Sequence, residues 1–307
     1  SSDVSIEGAP SGLQDDLEAA AAPYVKRFEA ANRAVYLYDA AYELELLLRE
    51  RGFAVAEVSY AVEGDTARLQ VQAGPRSTLG PVAVTVDPGC SLTEEQLARY
   101  VSGPRTGMLG RGEVLYVQRR VEGSPRRVVM DLVALGHLEA TAGIEDPGPT
   151  PGGGEVRTRL RVNAGPRYRL KPVEIIGEEG LDLEVQLAIR EAQIDITPTS
   201  PDQDLPYEPR IPGRVRSTVL DALASHGYLD ADVRVEEDVD RESHLVQMDI
   251  HVEPGPKVTI SEVRFESSGR TKERFLKSRL QLAAGDEFST REVRASVRAL
   301  YRTGLFS

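Results

Sequence analysis

The chain is poor in the residues that build reactive centres. It has one cysteine, Cys90, so no internal disulfide forms and the redox compartment stays open. Cys90 is expected in a turn after a strand with no histidine partnered to it, which removes the usual cysteine nucleophile. Four histidines, His137, His226, His244 and His251, fall at unrelated positions, and no spacing of His, Cys, Asp and Glu resembles a metal site. Neither a metal nor a cofactor is expected. Acidic neighbours such as Asp15-Asp16 and Glu236-Glu237-Asp238 read as a solvated helix start and a charged strand edge, not as acid–base pairs. The glycine-rich stretch 147–154 is followed by no Gly-Lys-Ser/Thr helix start, so it is a hairpin tip and not a phosphate cradle. No enzyme is expected.

Long apolar runs are missing as well, and none approaches the ~18 residues of a membrane-spanning helix. Ser1-Ser2-Asp3 lacks the basic and apolar segments of a secretory signal, which fits a cytosolic chain or an exported one in mature or trimmed form. The net charge is −12, whereas general nucleic-acid binding would want a basic footprint over most of the chain. The charge is unevenly spread. Residues 1–79 hold 13 acidic and 7 basic residues, and residues 80–170 hold 10 and 12. Residues 171–259 hold 20 and 8, and residues 260–307 hold 6 and 10.

What the chain does have is repetition. Gly74-Pro75-Arg76, Gly165-Pro166-Arg167 and Gly255-Pro256-Lys257 recur at intervals of 91 and 90 residues. A second landmark keeps step with them: Gly52-Phe53, Gly136-His137, Gly227-Tyr228 and Gly304-Leu305-Phe306. Two landmarks in phase over so long a period mean one structural unit copied in tandem, as in recognition arms and scaffolds.

Residues 171–259 show the plan of the unit. Val173 to Ile176 is a short strand, and Leu181 to Ala192 has helical spacing. A connection with Pro198, Pro201, Pro206, Pro209 and Pro212 follows, and a second helix is expected from about Arg214 to a stop at His226-Gly227. Two alternating strands then close the unit, around Ala231, Val233 and Val235, and from Val246 to Val252. The order β-α-α-β-β predicts an α+β fold in which each unit is a three-stranded mixed sheet with two helices on one face. Four units are expected, at 1–79, 80–170, 171–259 and 260–307, the last showing only β-α-α. Its strand is expected at Val263 to Phe265 and its helices around Phe275 to Leu280 and Val293 to Tyr301.

In so small a sheet two of three strands are edges with unpaired backbone groups, which suits strand addition by an extended partner. The first hairpin strand of each unit, at 54–60, 138–142 and 231–235, is the expected docking edge. It supplies Ala56, Val58 and Tyr60, then Ala140 and Ala142, then Ala231, Val233 and Val235. Arg157, Arg159 and Arg161 alternate on one strand, a basic row that contacts anionic lipid or an acidic neighbouring unit, or else is a solvated sheet face.

A β-α-α-β-β unit of this size resembles a POTRA domain, the polypeptide-transport-associated module found in tandem ahead of a membrane β-barrel in the BamA/TamA outer-membrane assembly family. Residues 284–289, with Gly285, and then Leu300-Tyr301-Arg302-Thr303-Gly304-Leu305-Phe306 carry its Gly-Asp-x-Phe-Ser and Leu-Tyr-x-x-Gly-x-Phe signatures. Leu47 to Phe53 and Leu223 to Tyr228 repeat the second more loosely, whereas Gly136 is followed by His where an aromatic belongs. The resemblance implies a periplasmic arm, attached to the outer membrane through a C-terminal barrel. It would bind unfolded outer-membrane proteins or accessory subunits. The other expectations are the arm of a two-partner-secretion transporter, which normally has only two such modules, and an envelope scaffold without a barrel.

Overall fold

The computed structural model describes residues 3–63, 66–103, 113–264 and 276–302. They hold three copies of one α+β arrangement. In the first, β1 (Asp3–Glu7) leads to α1 (Gln14–Ala31), α2 (Val35–Glu50), β2 (Glu57–Glu63) and β3 (Thr66–Gln72). The sheet order is β1-β3-β2, with β1 parallel and β2 antiparallel to β3. A linker strand β4 (Ser77–Leu79) precedes the second copy: β5 (Ala83–Val86), α3 (Glu94–Ser102), α4 (Gln118–Ala134), β6 (Thr141–Glu145), β7 (Gly154–Val156) and β8 (Arg159–Asn163). Its sheet runs β5-β8-β6. The third copy follows the short strand β9 (Arg169–Leu170). It comprises β10 (Glu174–Ile176), α5 (Leu183–Glu191), α6 (Ile211–Ser225), β11 (Asp232–Asp240) and β12 (Leu245–Glu253), in the order β10-β12-β11. A last helix, α7, spans Thr290–Tyr301.

The period-two pattern of the central strands explains why helices cover one face only. Val246, Met248, Ile250 and Val252 of β12 are buried, and they pack with Val185 and Ile189 of α5 and Val215, Val219 and Leu223 of α6. In the second copy Leu160 and Val162 meet Leu97, Val101, Val121, Val128 and Leu132. In the first, Leu69 and Val71 meet Leu17, Ala21, Leu44 and Leu48. Burying each such aliphatic side chain contributes roughly 1.5–3 kcal/mol, so each copy has a core of its own. By density of contacts the chain divides into two compact units, 1–132 with 139–165, and 133–138 with 166–307.

Several expected boundaries move. The edge strands start later than 54, 138 and 231, because the residues after each helix stop first make a turn and Ala54, Ala56 and Ala140 are buried beneath it. The expected strand from Val156 to Val162 is two strands. β7 pairs with the linker strand β4 and β8 with β5, the break falling at Arg157-Thr158. α6 begins at Ile211, and Pro212 sits in its first turn, where the missing N–H has no intrahelical acceptor to lose. Thr93 caps α3 and forms a reciprocal capping box with Gln96. At the C-terminal end Val263 and Arg264 form no strand, and Thr259 makes an isolated bridge to Glu287. Leu276 and Lys277 are helical, and α7 starts at Thr290 with Ser289 as its cap. Phe265, Phe275, Gly304 and Phe306 lie outside the described residues.

Candidate functional site

β2, β6 and β11 are the outer antiparallel strands of their sheets. Counting from the two landmarks places one residue of each at the same spot. Val58, Ala142 and Val233 all stand sixth after the helix-stop glycine, and pair with Val71, Val162 and Val252, each third before the Gly-Pro glycine. The Val58 N–H donates to Glu45 Oε1 of α2 at 3.0 Å, and the Val233 carbonyl accepts from Arg216 Nε of α6 at 2.8 Å. Backbone groups bonded to a helix point away from the ladder. In an antiparallel pair both groups of a residue point the same way, so at this register position N–H and C=O both face outward.

Two of the three edges are therefore occupied at their start. On β2, Arg49 also donates to the Ala56 carbonyl at 3.2 Å and pairs with Glu45 at 3.1 Å. On β11, Arg216 lies 3.8 Å from Asp232. Glu45 and Arg49 stand seven and three residues before Gly52, and Arg216 eleven before Gly227. At the same distances before Gly136, α4 carries Val129, Val133 and Pro125, none of which has a polar side chain to offer.

The predicted docking side chains mostly face inward. Val58 and Val233 are buried, as are Ala56 and Ala140 ahead of their strands; Ala142, Ala231 and Val235 are half-buried, and Tyr60 is exposed. Contact through these edges would therefore run through backbone. The basic row does sit on the outer face, but with partners: Arg157 with Glu155 at 2.8 Å, Arg161 with Glu145 at 2.5 Å and Arg159 with Glu145 at 4.0 Å.

The two landmarks keep step because they touch. Gly52 O accepts from Ser77 N, Gly136 O from Tyr168 N and Gly227 O from Val258 N, each at 2.8 Å. The donors all stand third after the Gly-Pro glycine. The basic residue between them reaches back: Arg76 Nε donates to Arg51 O at 3.0 Å and Arg167 Nε to Leu135 O at 3.2 Å. Arg76 and Lys257 lie 5.8 Å from the ring centres of Phe53 and Tyr228, a cation–π distance. The linker residues then bond to the segment ahead of the next helix, through Tyr116 N to Ser77 O, Tyr207 N to Tyr168 O and Phe288 N to Val258 O. Gly52, Gly136 and Gly227 have φ of +88°, +96° and +91°. At Gly136 a Cβ would stand 2.6 Å from Tyr168 O, so glycine is required twice over. These glycines, with Phe53 and Tyr228, close joints in the fold. Gly285 also has positive φ, in the turn before Ser289, and Tyr301 ends α7 half-exposed.

One pairing has no signal in the spacing. Tyr116 and Tyr207 are buried at equivalent positions, and each hydroxyl donates to a carboxylate of the outer hairpin strand region. Tyr116 reaches Asp146 at 2.6 Å, and Tyr207 reaches Glu237. Burial, then the carboxylate bond, push both phenols well above the ordinary tyrosine range. Tyr100, bonded to Asp131, is pushed up to about 12 for the same reasons. Among the described residues no three His, Cys, Asp or Glu side chains gather to hold a metal, and no helix is long and apolar enough to cross a membrane.

Residues 258–307 match the family model "POTRA: Surface antigen variable number repeat". The three copies before it share one element order and one sheet topology. Among solved structures the chain is similar to POTRA units 3–5 of BamA from Haemophilus influenzae, with 18% identity over 75% of this chain and 87% of that one and a TM-score of 0.41. It is also similar to POTRA units 1–3 of the periplasmic domain of Omp85 from Anabaena, with 16% identity, 82% and 93% coverage and a TM-score of 0.31. CdiB from Escherichia coli matches at 11% identity, covering 76% of this chain and 35% of that one, with a TM-score of 0.27. None of the curated proteins compared with the sequence matches it.

Proposed function

We propose that this chain is the periplasmic POTRA arm of an outer-membrane β-barrel assembly or translocation factor, built from four units bordered near residues 80, 171 and 260. It binds extended segments of unfolded outer-membrane proteins or of accessory subunits by adding them as a fourth strand, and the entry point is β6. The observation that carries this reading is the difference between helices. α2 and α6 place Glu45, Arg49 and Arg216 on the outward backbone groups of β2 and β11, while α4 has Pro125, Val129 and Val133 at those positions. Among the described residues no side chain bonds the N–H or C=O of Ala142, and an edge left so is a template for a peptide backbone.

The test is proline at the outward register position. Ala142→Pro removes an N–H that makes no ladder bond, so the fold is expected to survive. Fluorescence anisotropy with a peptide of outer-membrane β-signal type should show binding to the 307-residue chain weakened at least tenfold in Ala142→Pro. Val233→Pro, on the capped edge, should leave it unchanged. Equal binding by a folded Ala142→Pro variant and the parent chain would remove β6 as the docking edge.

A further inference from the structure

We infer that the exposed side of α4 holds a second binding site, one that takes a phosphate-bearing anion. α4 opens with Arg119-Arg120 and repeats the pair as Arg126-Arg127 seven residues on. Seven residues are close to two helical turns, so Arg119 lies in line with Arg126 and Arg120 with Arg127, with Gly123 between them. This side of the helix, with Arg51 from the end of α2, lines a cleft of about 790 Å³. Among the described lining residues Glu50 is the only carboxylate beside five guanidinium groups, of which Arg51 is paired with Asp16 at 2.8 Å, in a protein whose net charge is −12.

The guanidinium groups are not all placed alike. Arg127 Nη2 donates to Tyr100 O at 2.9 Å and to Arg120 O at 2.8 Å, and Arg120 Nη1 reaches Ser102 O at 3.4 Å. The C-terminal carbonyls of α3 thus hold the inner pair in place. Arg127 lies across Gly123, where a Cβ would stand 2.9 Å from its Nη1, so the one glycine inside α4 makes room for a charged group. Arg119 and Arg126 are exposed, and no ion pair to either is found among the described residues. The contrast with β8 is direct: there Arg159 and Arg161 face Glu145 across the sheet.

Like charges on one helix side repel, which disfavours the arrangement unless an anion joins it. Guanidinium forks bind carboxylate and phosphate oxygens in pairs. Two converging arginine pairs present more donors than one carboxylate accepts, whereas a phosphomonoester or diphosphate offers at least three oxygens and close to two charges. The cleft volume lies within the usual range of small-molecule sites. Met130, 53% exposed on the rim, adds an apolar lip that suits a phosphorylated headgroup as well as a free phosphate compound.

Calorimetry of the 307-residue chain with inorganic pyrophosphate, and flotation with phosphatidic acid or phosphatidylcholine vesicles, form the two arms of the test. Saturable pyrophosphate binding, or binding to the anionic vesicles only, is expected. The first alone assigns a free phosphate compound, and vesicle binding that pyrophosphate does not displace assigns a lipid headgroup. The double variant Arg119→Gln/Arg126→Gln should lower the affinity at least tenfold, and Arg157→Gln/Arg161→Gln should not. Gly123→Ala should raise the melting temperature by a few degrees, as expected of alanine in a helix, and still weaken the ligand severalfold by displacing Arg127. No saturable binding in either arm, equal losses in the two double variants, or equal affinity for a polyglutamate peptide would overturn the site.

Discussion

β6 and β11 occupy equivalent places in their two sheets and differ in what covers them. β11 is nine residues long, carries Asp232, Arg234, Glu236, Glu237, Asp238 and Asp240, and has Arg216 of α6 on its outward carbonyl at Val233. β6 is five residues long, Thr-Ala-Gly-Ile-Glu, with Glu145 its only charge, and at the sequence distances where the other helices have Glu45, Arg49 and Arg216, α4 has Val129, Val133 and Pro125. Charges on an edge and side chains bonded to its backbone both discourage pairing with another chain. The fold and its edges are copied from unit to unit, but the side chains over those edges are not. On the proposed reading, a few helix positions per copy decide which edge takes a peptide.

Proline at two adjacent residues of β6 should have the largest and most unequal effects. Ala142 has outward backbone groups, so Gly143, paired with Arg161, has inward ones that belong to the β8 ladder. Gly143→Pro removes a ladder bond and forces its φ, and is expected to lower stability by ~3 kcal/mol, read as a fall in the urea midpoint. Ala142→Pro should lower it by less than ~1 kcal/mol. Equal losses would mean that the outward assignment is wrong.

A smaller effect is expected at the far ends of the two edges, where buried tyrosines tie the hairpins down. Tyr116→Phe and Tyr207→Phe each remove a bond to a charged carboxylate and should lower stability by ~1.5–3 kcal/mol. The pH dependence has a definite sign. A phenol whose pKa is raised on folding contributes stability that is fully present below the unfolded value near 10 and is lost as pH rises through the folded value. Thermal melts between pH 8 and 12 should therefore fall less steeply in the double phenylalanine variant than in the parent chain. Parallel curves would show that the hydroxyls are not coupled to folding.

How far the sequence alone reached follows the range of the interactions. Alternation in β12 and helical spacing in α6 are local patterns, so the β-α-α-β-β order and the one-sided cover could be read directly. The 90-residue period was legible because each joint needs a glycine with positive φ facing a Gly-Pro pair, and both requirements act on residue identity. Strand starts were less legible. The turn after each helix stop buries Ala54, Ala56 and Ala140, and a buried turn and a buried strand look alike in composition. Apolar alternation singles out Val58, Val233 and Val235, and it marks the face toward the core. Which backbone groups face outward depends on register, and whether they are covered depends on Glu45 and Arg216, residues of helices more than ten positions away. The basic row at Arg157, Arg159 and Arg161 was visible as spacing, but its neutralisation by Glu155 and Glu145 needs the sheet. The arginine pairs of α4 stood in the sequence at a heptad interval, and only the cleft beside them gives the interval meaning.

The last prediction exchanges the two kinds of edge. Glu45→Ala should free the Val58 N–H, leaving Ala56 O with Arg49 still nearby. Because that N–H becomes accessible to water at the sheet edge, the loss should stay near ~1 kcal/mol. A weak new peptide site is expected on β2, seen as residual binding in the background of Ala142→Pro. The reverse change, Val129→Glu, places a carboxylate seven residues before Gly136, where α2 has Glu45 before Gly52. Val129 is half-buried, so the change should lower stability by less than ~1 kcal/mol. It should also reduce peptide binding at β6 severalfold without touching the strand itself. The two variants act through helices and leave every strand residue in place, so they separate edge coverage from strand composition. If Val129→Glu binds peptide as well as the parent chain while Ala142→Pro does not, coverage is irrelevant and the low charge of β6 alone makes it the open edge.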